Sequence, residues 1–300
     1  RYHDSGTALA SDGAGGVWIT GRTKSSDFPI LNAHQNDYGD IFVAHLTSSG
    51  ALLSSTRLGG WGDDYGETLT GDGSGGVWVT ISTTSSYFPT LNAYQSEYGG
   101  GYTDVFVSHF SSSGALLSST YLGGKGGESV TASVGDGSGG VWVTGQTSSS
   151  DFPVTEGAYQ SNFGGYSDVF VSHFSSSGAL LSSTYLGGGS SDEGKALVGD
   201  GAGGVWVTGE TSSTDFPVRH EYQSSLKGTR DAFVAHFSSS GALLSSTYLG
   251  GPEGRESWDD DDWWYEYDED SGTALAGDGA GGVWVMGQTS SSNFPVLNAY

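Results

Sequence analysis

The sequence predicts an all-β fold built of repeated four-stranded antiparallel units, and three observations support this prediction. A Gly-Gly-Val-Trp motif occurs five times, at spacings of 60, 64, 64 and 78 residues. Each complete interval contains four segments of strand length, rich in Val, Thr and aromatic residues and separated by glycine-rich turns. Fifty-two glycines and a weak helical signal throughout agree with many short strands. A fixed period of this length is typical of repeat architectures.

The third repeat shows where the strands are expected. We predict strand a at residues 129–135, strand b at 140–147, strand c at 168–174 and strand d at 179–186. The glycine- and serine-rich turns between a and b and between c and d supply the positive-φ and side-chain-bonded positions that tight hairpins need. Strands b and c are therefore joined by a long loop.

The two central strands are apolar on both faces, which indicates how the units pack. Val141-Trp142-Val143 and Val169-Phe170-Val171 do not alternate with polar residues, so we expect neighbouring sheets on either side. Strand a is rich in small residues, as a crowded position beside a central channel requires. We therefore predict a β-propeller of four-stranded antiparallel blades, with four complete blades and half of a fifth.

We expect all of these parts to form one propeller domain. They are blade 1 (1–62), blade 2 (63–126), blade 3 (127–189), blade 4 (190–252), an acidic-aromatic insert (253–270) and the first half of blade 5 (271–300). Strands c and d of that last blade would come from flanking sequence or from another molecule. The chain is accordingly expected to be a processed product or a window on a longer polypeptide.

Ordered short motifs fill each unit. In the third they are Val143-Thr144-Gly145-Gln146-Thr147, Asp151-Phe152-Pro153, Tyr159-Gln160, Asp168-Val169-Phe170-Val171 and Ser183-Thr184-Tyr185-Leu186-Gly187-Gly188. This series resembles the SBBP repeat family, named for the seven-bladed β-propeller. Departures are local: Ile81-Ser82 replaces Gly-x, Tyr87 and Asn293 replace Asp, and His34 replaces Tyr. The resemblance implies an architecture, and no common enzymatic reaction accompanies it.

The charge balance limits the partners. Ten basic and 34 acidic residues give a formal charge of -24, which repels nucleic acid and anionic membrane surfaces. No apolar run approaches the ~20 residues that span a bilayer, so membrane insertion is not expected. The absence of cysteine excludes a disulfide scaffold and a thiolate site. The scarcity of lysine favours an extracellular or cell-surface location.

Two recurrent polar motifs are candidates for chemistry. Histidines recur on strand c, and metal binding would need them to converge to about 2 Å from one ion, whereas equivalent positions on neighbouring blades point apart. We expect them to be structural or hydrogen-bonded. The Asp-Gly-x-Gly-Gly turns lack the lysine and helix of a phosphate loop, so we expect turn chemistry there. These residues are His45, His109, His173 and His236, and Asp12, Asp72, Asp136, Asp200 and Asp278.

The insert is the one segment that breaks the repeat. Leu249 and Trp284 are 35 residues apart, where the corresponding distance in other units is 20. Three interpretations stay open: a solvated loop, an aromatic-acidic contact surface, and a Ca²⁺ or carbohydrate site. The candidate ligand- or partner-binding residues are Trp258, Trp263, Trp264 and Tyr265. The candidate metal ligands are Asp259, Asp260, Asp261 and Asp262.

No nucleophile–base pair and no fixed pair of glycosidase carboxylates can be identified from the sequence, so we expect neither an enzyme nor a cofactor other than Ca²⁺ at the insert. The leading hypothesis is a non-enzymatic structural repeat module of an extracellular, cell-surface or filamentous assembly. It would make protein–protein contacts with its own copies or with neighbouring domains. The alternative is a propeller that binds carbohydrate or a Ca²⁺-dependent ligand through the face that carries the insert, with glycans among its partners.

Overall fold

The structure is a computed structural model that describes residues 3–33, 40–252 and 269–296. Its strands form four sheets of four strands and one sheet of two, and all pairings within the sheets are antiparallel. No helix occurs in these residues, and hence none that could cross a membrane. The five sheets correspond to the five sequence repeats, which we call units 1 to 5.

The strands follow one another in the same order in every unit. Unit 1 contains β1 (Asp4–Ser11), β2 (Val17–Thr23), β3 (Ile41–Leu46) and β4 (Leu52–Leu58). Unit 2 contains β5 (Asp64–Gly71), β6 (Val77–Thr83), β7 (Asp104–Phe110) and β8 (Leu116–Leu122). Unit 3 contains β9 (Glu128–Gly135), β10 (Val141–Thr147), β11 (Asp168–Phe174) and β12 (Leu180–Leu186). Unit 4 contains β13 (Asp192–Gly199), β14 (Val205–Thr211), β15 (Asp231–Phe237) and β16 (Leu243–Leu249), and unit 5 contains β17 (Asp270–Gly277) and β18 (Val283–Thr289).

Successive units pack face to face. Every residue of β7 and of β11 is buried, as the two-sided apolar pattern predicts. The hydrophobic clusters cross from one unit to the next, and one of them joins Trp78 of unit 2 to Val141 and Phe170 of unit 3. The first strands of successive units also lie against each other, from β1 through β5, β9 and β13 to β17. The core is therefore a series of interfaces between sheets.

Backbone hydrogen bonds join the units at one end of the sheets. The amide of Glu128, where β9 begins, donates to Thr103 O at 2.8 Å, immediately before β7. The amide of Asp192 donates to Ser167 O at 2.8 Å in the same way, and that of Asp270 donates to Arg230 O at 2.9 Å. Each of these bonds belongs to a short parallel bridge. The first strand of one unit is thus held beside the third strand of the unit before it.

The long loop between the second and third strands covers the outer edge of its own sheet. In unit 2, Leu91 and Ser119 on β8 form an antiparallel bridge, and Phe88 is buried. The Tyr121 hydroxyl donates to Ser85 O at 2.9 Å and accepts from the Phe88 amide at 2.8 Å. Covering an edge in this way protects it from pairing with other chains. These contacts with the sheet edge also explain why a loop of this length is ordered.

Unit 2 differs from the other units beside its bulge, where it has an isoleucine in place of glycine. In unit 3, a Cβ on Gly145 would lie 1.9 Å from Ser129 O, so that strand needs glycine beside its bulge. The equivalent residue of unit 2 is Ile81, which is fully buried.

We expect Tyr185→Phe to destabilise the protein by about 1–3 kcal/mol, because two buried backbone groups would each lose a short hydrogen bond. The Tyr185 hydroxyl donates to Ser149 O at 2.7 Å and accepts from the Phe152 amide at 2.9 Å. Urea unfolding of the purified chain measures the change. Tyr166→Phe is the matched control, because Tyr166 is 81 % exposed. Equal stability of the two variants would show that the hydroxyl contributes nothing.

A second prediction concerns the close approach between units at Gly178. Its φ is +85°, and a Cβ there would lie 2.5 Å from Ser118 Cβ of the preceding unit. Gly137 has a φ of +79° but no heavy atom within 4 Å of its Cβ position. Gly137→Ala should cost about 1–2 kcal/mol from the left-handed conformation alone. Gly178→Ala should cost roughly 1–3 kcal/mol more, because the added methyl group separates two sheets. Denaturant midpoints of the two variants compare the costs directly.

Candidate functional site

Each complete unit contains one cluster of an aspartate, a histidine and a tryptophan. In unit 2, Trp78 and His109 are direct cross-strand neighbours on β6 and β7. Their rings stack with centroids 4.1 Å apart and planes 9° from parallel. His109 Nε2 lies 2.9 Å from Asp72 Oδ2, in the turn between β5 and β6. The antiparallel register therefore brings together residues that are far apart in the chain.

The ring stacking and the Asp–His contact have the same geometry in all four complete units. The ring centroids are 4.1 Å apart in every case, and the planes lie within 10° of parallel. The other His–Asp contacts are His45–Asp12 at 3.0 Å, His173–Asp136 at 2.9 Å and His236–Asp200 at 3.0 Å. The expectation that these histidines are hydrogen-bonded within the fold is confirmed.

Every cluster also binds the backbone of the next unit. The Trp78 ring nitrogen donates to Gly139 O at 2.9 Å, in the first turn of unit 3. The other three tryptophans contact the equivalent carbonyl, through Trp18–Gly75 at 2.9 Å, Trp142–Gly203 at 3.1 Å and Trp206–Gly281 at 3.2 Å. His109 Nδ1 lies 3.2 Å from Ser176 O, also in unit 3. The cluster is thus part of the interface between units.

The histidine contacts determine what the cluster can do chemically. Both partners of His109, the Asp72 carboxylate and the Ser176 carbonyl, are acceptors, and His45 has equivalent partners in Asp12 and Ser112. Both ring nitrogens of these two histidines are therefore occupied by contacts within the fold, and neither is free to take a proton from a substrate. The geometry favours a structural role over that of a general base.

The aspartate of the cluster is held in its ionised form. Burial opposes ionisation of Asp72, but hydrogen bonds from His109 and from the amides of Ser74 and Gly76 outweigh it. The pKa of Asp72 therefore lies below its ordinary value. Asp72 Oδ1 accepts from these amides at 2.7 Å and 2.9 Å, which confirms the turn chemistry expected of this motif. One carboxylate thus shapes the turn with one oxygen and binds the histidine with the other.

Unit 5 carries the same turn and tryptophan in a different environment. Asp278 Oδ1 accepts from the amides of Ala280 and Gly282 at 2.7 Å and 2.8 Å. Among the described residues, β18 pairs with β17 alone. Trp284 is accordingly 72 % exposed, whereas its counterpart Trp142 is fully buried.

The predicted contact and metal residues of the insert lie outside the described residues. They are Trp258, Asp259, Asp260, Asp261, Asp262, Trp263, Trp264 and Tyr265. Within the described ranges, no group of three or more His, Cys, Asp or Glu side chains is arranged to hold a metal ion.

The structure contains a second recurrent set of acidic residues, at the opposite end of the sheets, which sequence reasoning missed. We call them the junction carboxylates, because each lies where one unit meets the next. They are fully or almost fully buried. Those that begin a first strand are Asp64, Glu128, Asp192 and Asp270, and those that begin a third strand are Asp104, Asp168 and Asp231. Recurrence of an acid at the same position in each unit was the signal that could have found them.

Hydroxyl and amide donors hold the junction carboxylates in place. Glu128 Oε1 accepts from the hydroxyls of Thr147 at 2.7 Å and Ser149 at 2.5 Å. Asp104 Oδ2 accepts from the Gly99 amide at 2.6 Å. Burial raises the pKa of Asp104 to about 7, and the negative charge of Glu128 contributes to the rise. Burial likewise raises the pKa of Asp168 to about 6.

No protein-family model and no curated protein sequence matches the chain. The function must therefore be argued from the geometry of its own residues.

The Asp–His pairs predict a specific dependence of stability on pH. The pKa of Asp136 is lowered, since hydrogen bonds from His173 and the turn amides outweigh the effect of burial. Its ionisation therefore stabilises the fold above the ordinary carboxyl value of 3.8, and this contribution is lost as the pH falls through the lower folded-state pKa. Asp136→Asn should be less stable than the natural chain at pH 7, with the difference shrinking below pH 3.8.

Urea unfolding at several pH values between 7 and 2 checks this prediction. The control is Asp27→Asn, because Asp27 is exposed. A constant difference between Asp136→Asn and the natural chain over this range would contradict a role for the ionised carboxylate.

Proposed function

We propose that the chain is a non-enzymatic structural repeat module, a β-propeller of the SBBP type, that makes protein–protein contacts in an extracellular, cell-surface or filamentous assembly. One observation carries the proposal: the outermost strand of every complete unit presents the same partly exposed leucine. The four side chains are between 41 % and 53 % exposed, and they are Leu53, Leu117, Leu181 and Leu244.

Several features support the propeller arrangement of the units. The sheets are four-stranded and antiparallel, their central strands are buried on both faces, and their first strands contact one another in chain order. Radial stacking of four-stranded blades satisfies all three conditions. The β-propeller and its membership of the SBBP type remain parts of the proposal.

The recurrent polar groups support a structural role over catalysis. The ring nitrogens of His45 and His109 are all engaged by a carboxylate or by a carbonyl of the next unit. Serines in the turns between third and fourth strands bond to each other, as Ser111 Oγ and Ser113 Oγ do at 2.9 Å. A catalytic nucleophile needs a base within reach, and these groups are committed to turns and interfaces.

The leucines form a surface that is repeated by the fold. In β8 and β16 the first leucine of the Leu-Leu pair is buried and the second points outward, as the alternation of a strand requires. The Asn92 side chain donates to Leu117 O at 3.1 Å, so the long loop lies beside the exposed leucine. One exposed leucine is ordinary on any protein. Four equivalent ones present a multivalent surface, on which weak contacts combine into strong association.

The partner of this surface is a second copy of the chain or a neighbouring domain, since the same apolar side chain recurs on each unit. The low lysine content supports an extracellular or cell-surface setting, and the formal charge of -24 disfavours nucleic acid as the partner.

Leu117→Asn/Leu181→Asn tests the proposal. We expect the double variant to self-associate at least about tenfold more weakly than the natural chain, because two apolar contacts are lost. Sedimentation velocity over a concentration series measures association, and negative-stain electron microscopy shows lateral contacts. The matched control is Tyr102→Asn/Tyr166→Asn, which changes two highly exposed residues of the same units. A natural chain that stays monomeric without lateral contacts, or equal weakening by both variants, would overturn the proposal.

A further inference from the structure

At the junction between units 2 and 3, two buried carboxylates face the same glycine. A Cβ on Gly123 would lie 2.6 Å from Asp104 Oδ1 and 2.6 Å from Glu128 Oε2. The two oxygens are therefore no more than about 5 Å apart, within the range in which like charges repel strongly. One of these side chains begins β7 and the other begins β9, so the pair spans the two units.

The arrangement repeats at the next two junctions. A Cβ on Gly187 would lie 2.8 Å from Asp168 Oδ1 and 2.7 Å from Asp192 Oδ2. On Gly250 it would lie 2.4 Å and 2.8 Å from the corresponding atoms, Asp231 Oδ1 and Asp270 Oδ2. None of these three glycines has a positive φ. Glycine is therefore required at these positions because a side chain would collide with the two carboxylates, and not because of the backbone conformation.

At the first two of these junctions, one of the two facing oxygens has no hydrogen-bond donor. Asp104 Oδ1 and Asp168 Oδ1 are buried without a hydrogen-bond partner, and each is the oxygen that faces the second carboxylate. Within the described residues, no lysine, arginine or histidine forms an ion pair with the junction carboxylates. Two neighbouring carboxylates in such a place require a positive species between them.

We propose that these junctions are binding sites for a divalent cation of the Ca²⁺ type, held between the third strand of one unit and the first strand of the next. Carboxylate and carbonyl oxygens are the ligands that Ca²⁺ prefers. Each junction offers two carboxylates, so backbone carbonyls and water would complete the shell. A site of so few charged ligands binds weakly, with a Kd of about 10⁻⁴–10⁻³ M.

A cleft lies beside one of these sites. A cleft of about 300 Å³ opens between units 2 and 3, and its walls include Glu128 together with Thr103, Thr147 and Ser167. The raised pKa values of Asp104 and Asp168, caused first by burial, agree with the need for positive charge. Cation binding here does not depend on the outward-facing leucines and goes beyond the proposed contact function.

Thermal unfolding of the full chain in EDTA and in 10 mM CaCl₂ tests the inference. We expect Ca²⁺ to raise the Tm by roughly 3–8 °C, since several weak sites each favour the folded state. Asp104→Asn/Asp168→Asn should lose most of this shift and should be more stable than the natural chain in EDTA, because the variant removes two charges from the repelling pairs.

The insert provides the matched control. Asp259→Asn/Asp260→Asn/Asp261→Asn/Asp262→Asn removes four carboxylates outside the junctions and should keep the Ca²⁺ shift. If Ca²⁺ does not change the Tm of the natural chain, the inference is overturned, and protons are then the species that neutralise the carboxylates. The inference is also overturned if the Ca²⁺-induced rise in Tm is lost in the insert variant and kept in the junction variant.

Tb³⁺ luminescence keeps the test independent of whether the junction variant folds. Tyr98 and Tyr121 pack edge to face near Asp104, whose charge contributes to the raised pKa of both. Excitation of these tyrosines should sensitise Tb³⁺ bound at the first junction. Tyr98→Phe should reduce the signal in the insert variant, and Ca²⁺ should compete it away. If the insert variant shows no Tb³⁺ luminescence even with excess Tb³⁺, the result would contradict the site.

Discussion

A four-stranded sheet that is apolar on both faces cannot be stable without a neighbour on each side, and the other features of this molecule follow from that constraint. β7 and β11 bury all their residues only because adjacent units cover them. The hydrophobic clusters accordingly belong to pairs of units. Stability in such an array is a sum of unit and nearest-neighbour terms, so each interface needs its own specific contacts.

Those contacts differ at the two ends of each interface. At one end, an ionised aspartate, a histidine and a tryptophan join their own sheet to the turns of the next. At the other end, two carboxylates meet across a glycine, with amides and hydroxyls as their donors. Hydrogen bonds from the tryptophan and histidine rings to carbonyls of the next unit therefore fix one end of the interface. The other end stores repulsion that a bound positive charge would relieve.

Much of this fold is readable from the sequence, since strand and turn chemistry are local. The strands expected at 129–135, 140–147, 168–174 and 179–186 match β9, β10, β11 and β12 within one residue. The pairing of His173 with Asp136 was not predicted, because these residues are 37 apart in the chain and meet only through the register of β10 with β11. The facing of Asp104 and Glu128 depends on how two units meet, which no property of one unit encodes. Residues 253–268 of the insert lie outside the described residues, so its interpretations stay predictions.

The tryptophan of each complete unit donates to a backbone carbonyl of the following unit, and that carbonyl lies in a turn which every unit possesses. Each unit thus carries both halves of the interface, a donor for the next unit and an acceptor for the previous one. Duplication of one unit by recombination would insert a sheet whose two faces already match its new neighbours. The length of the array can change in evolution without any compensating substitution.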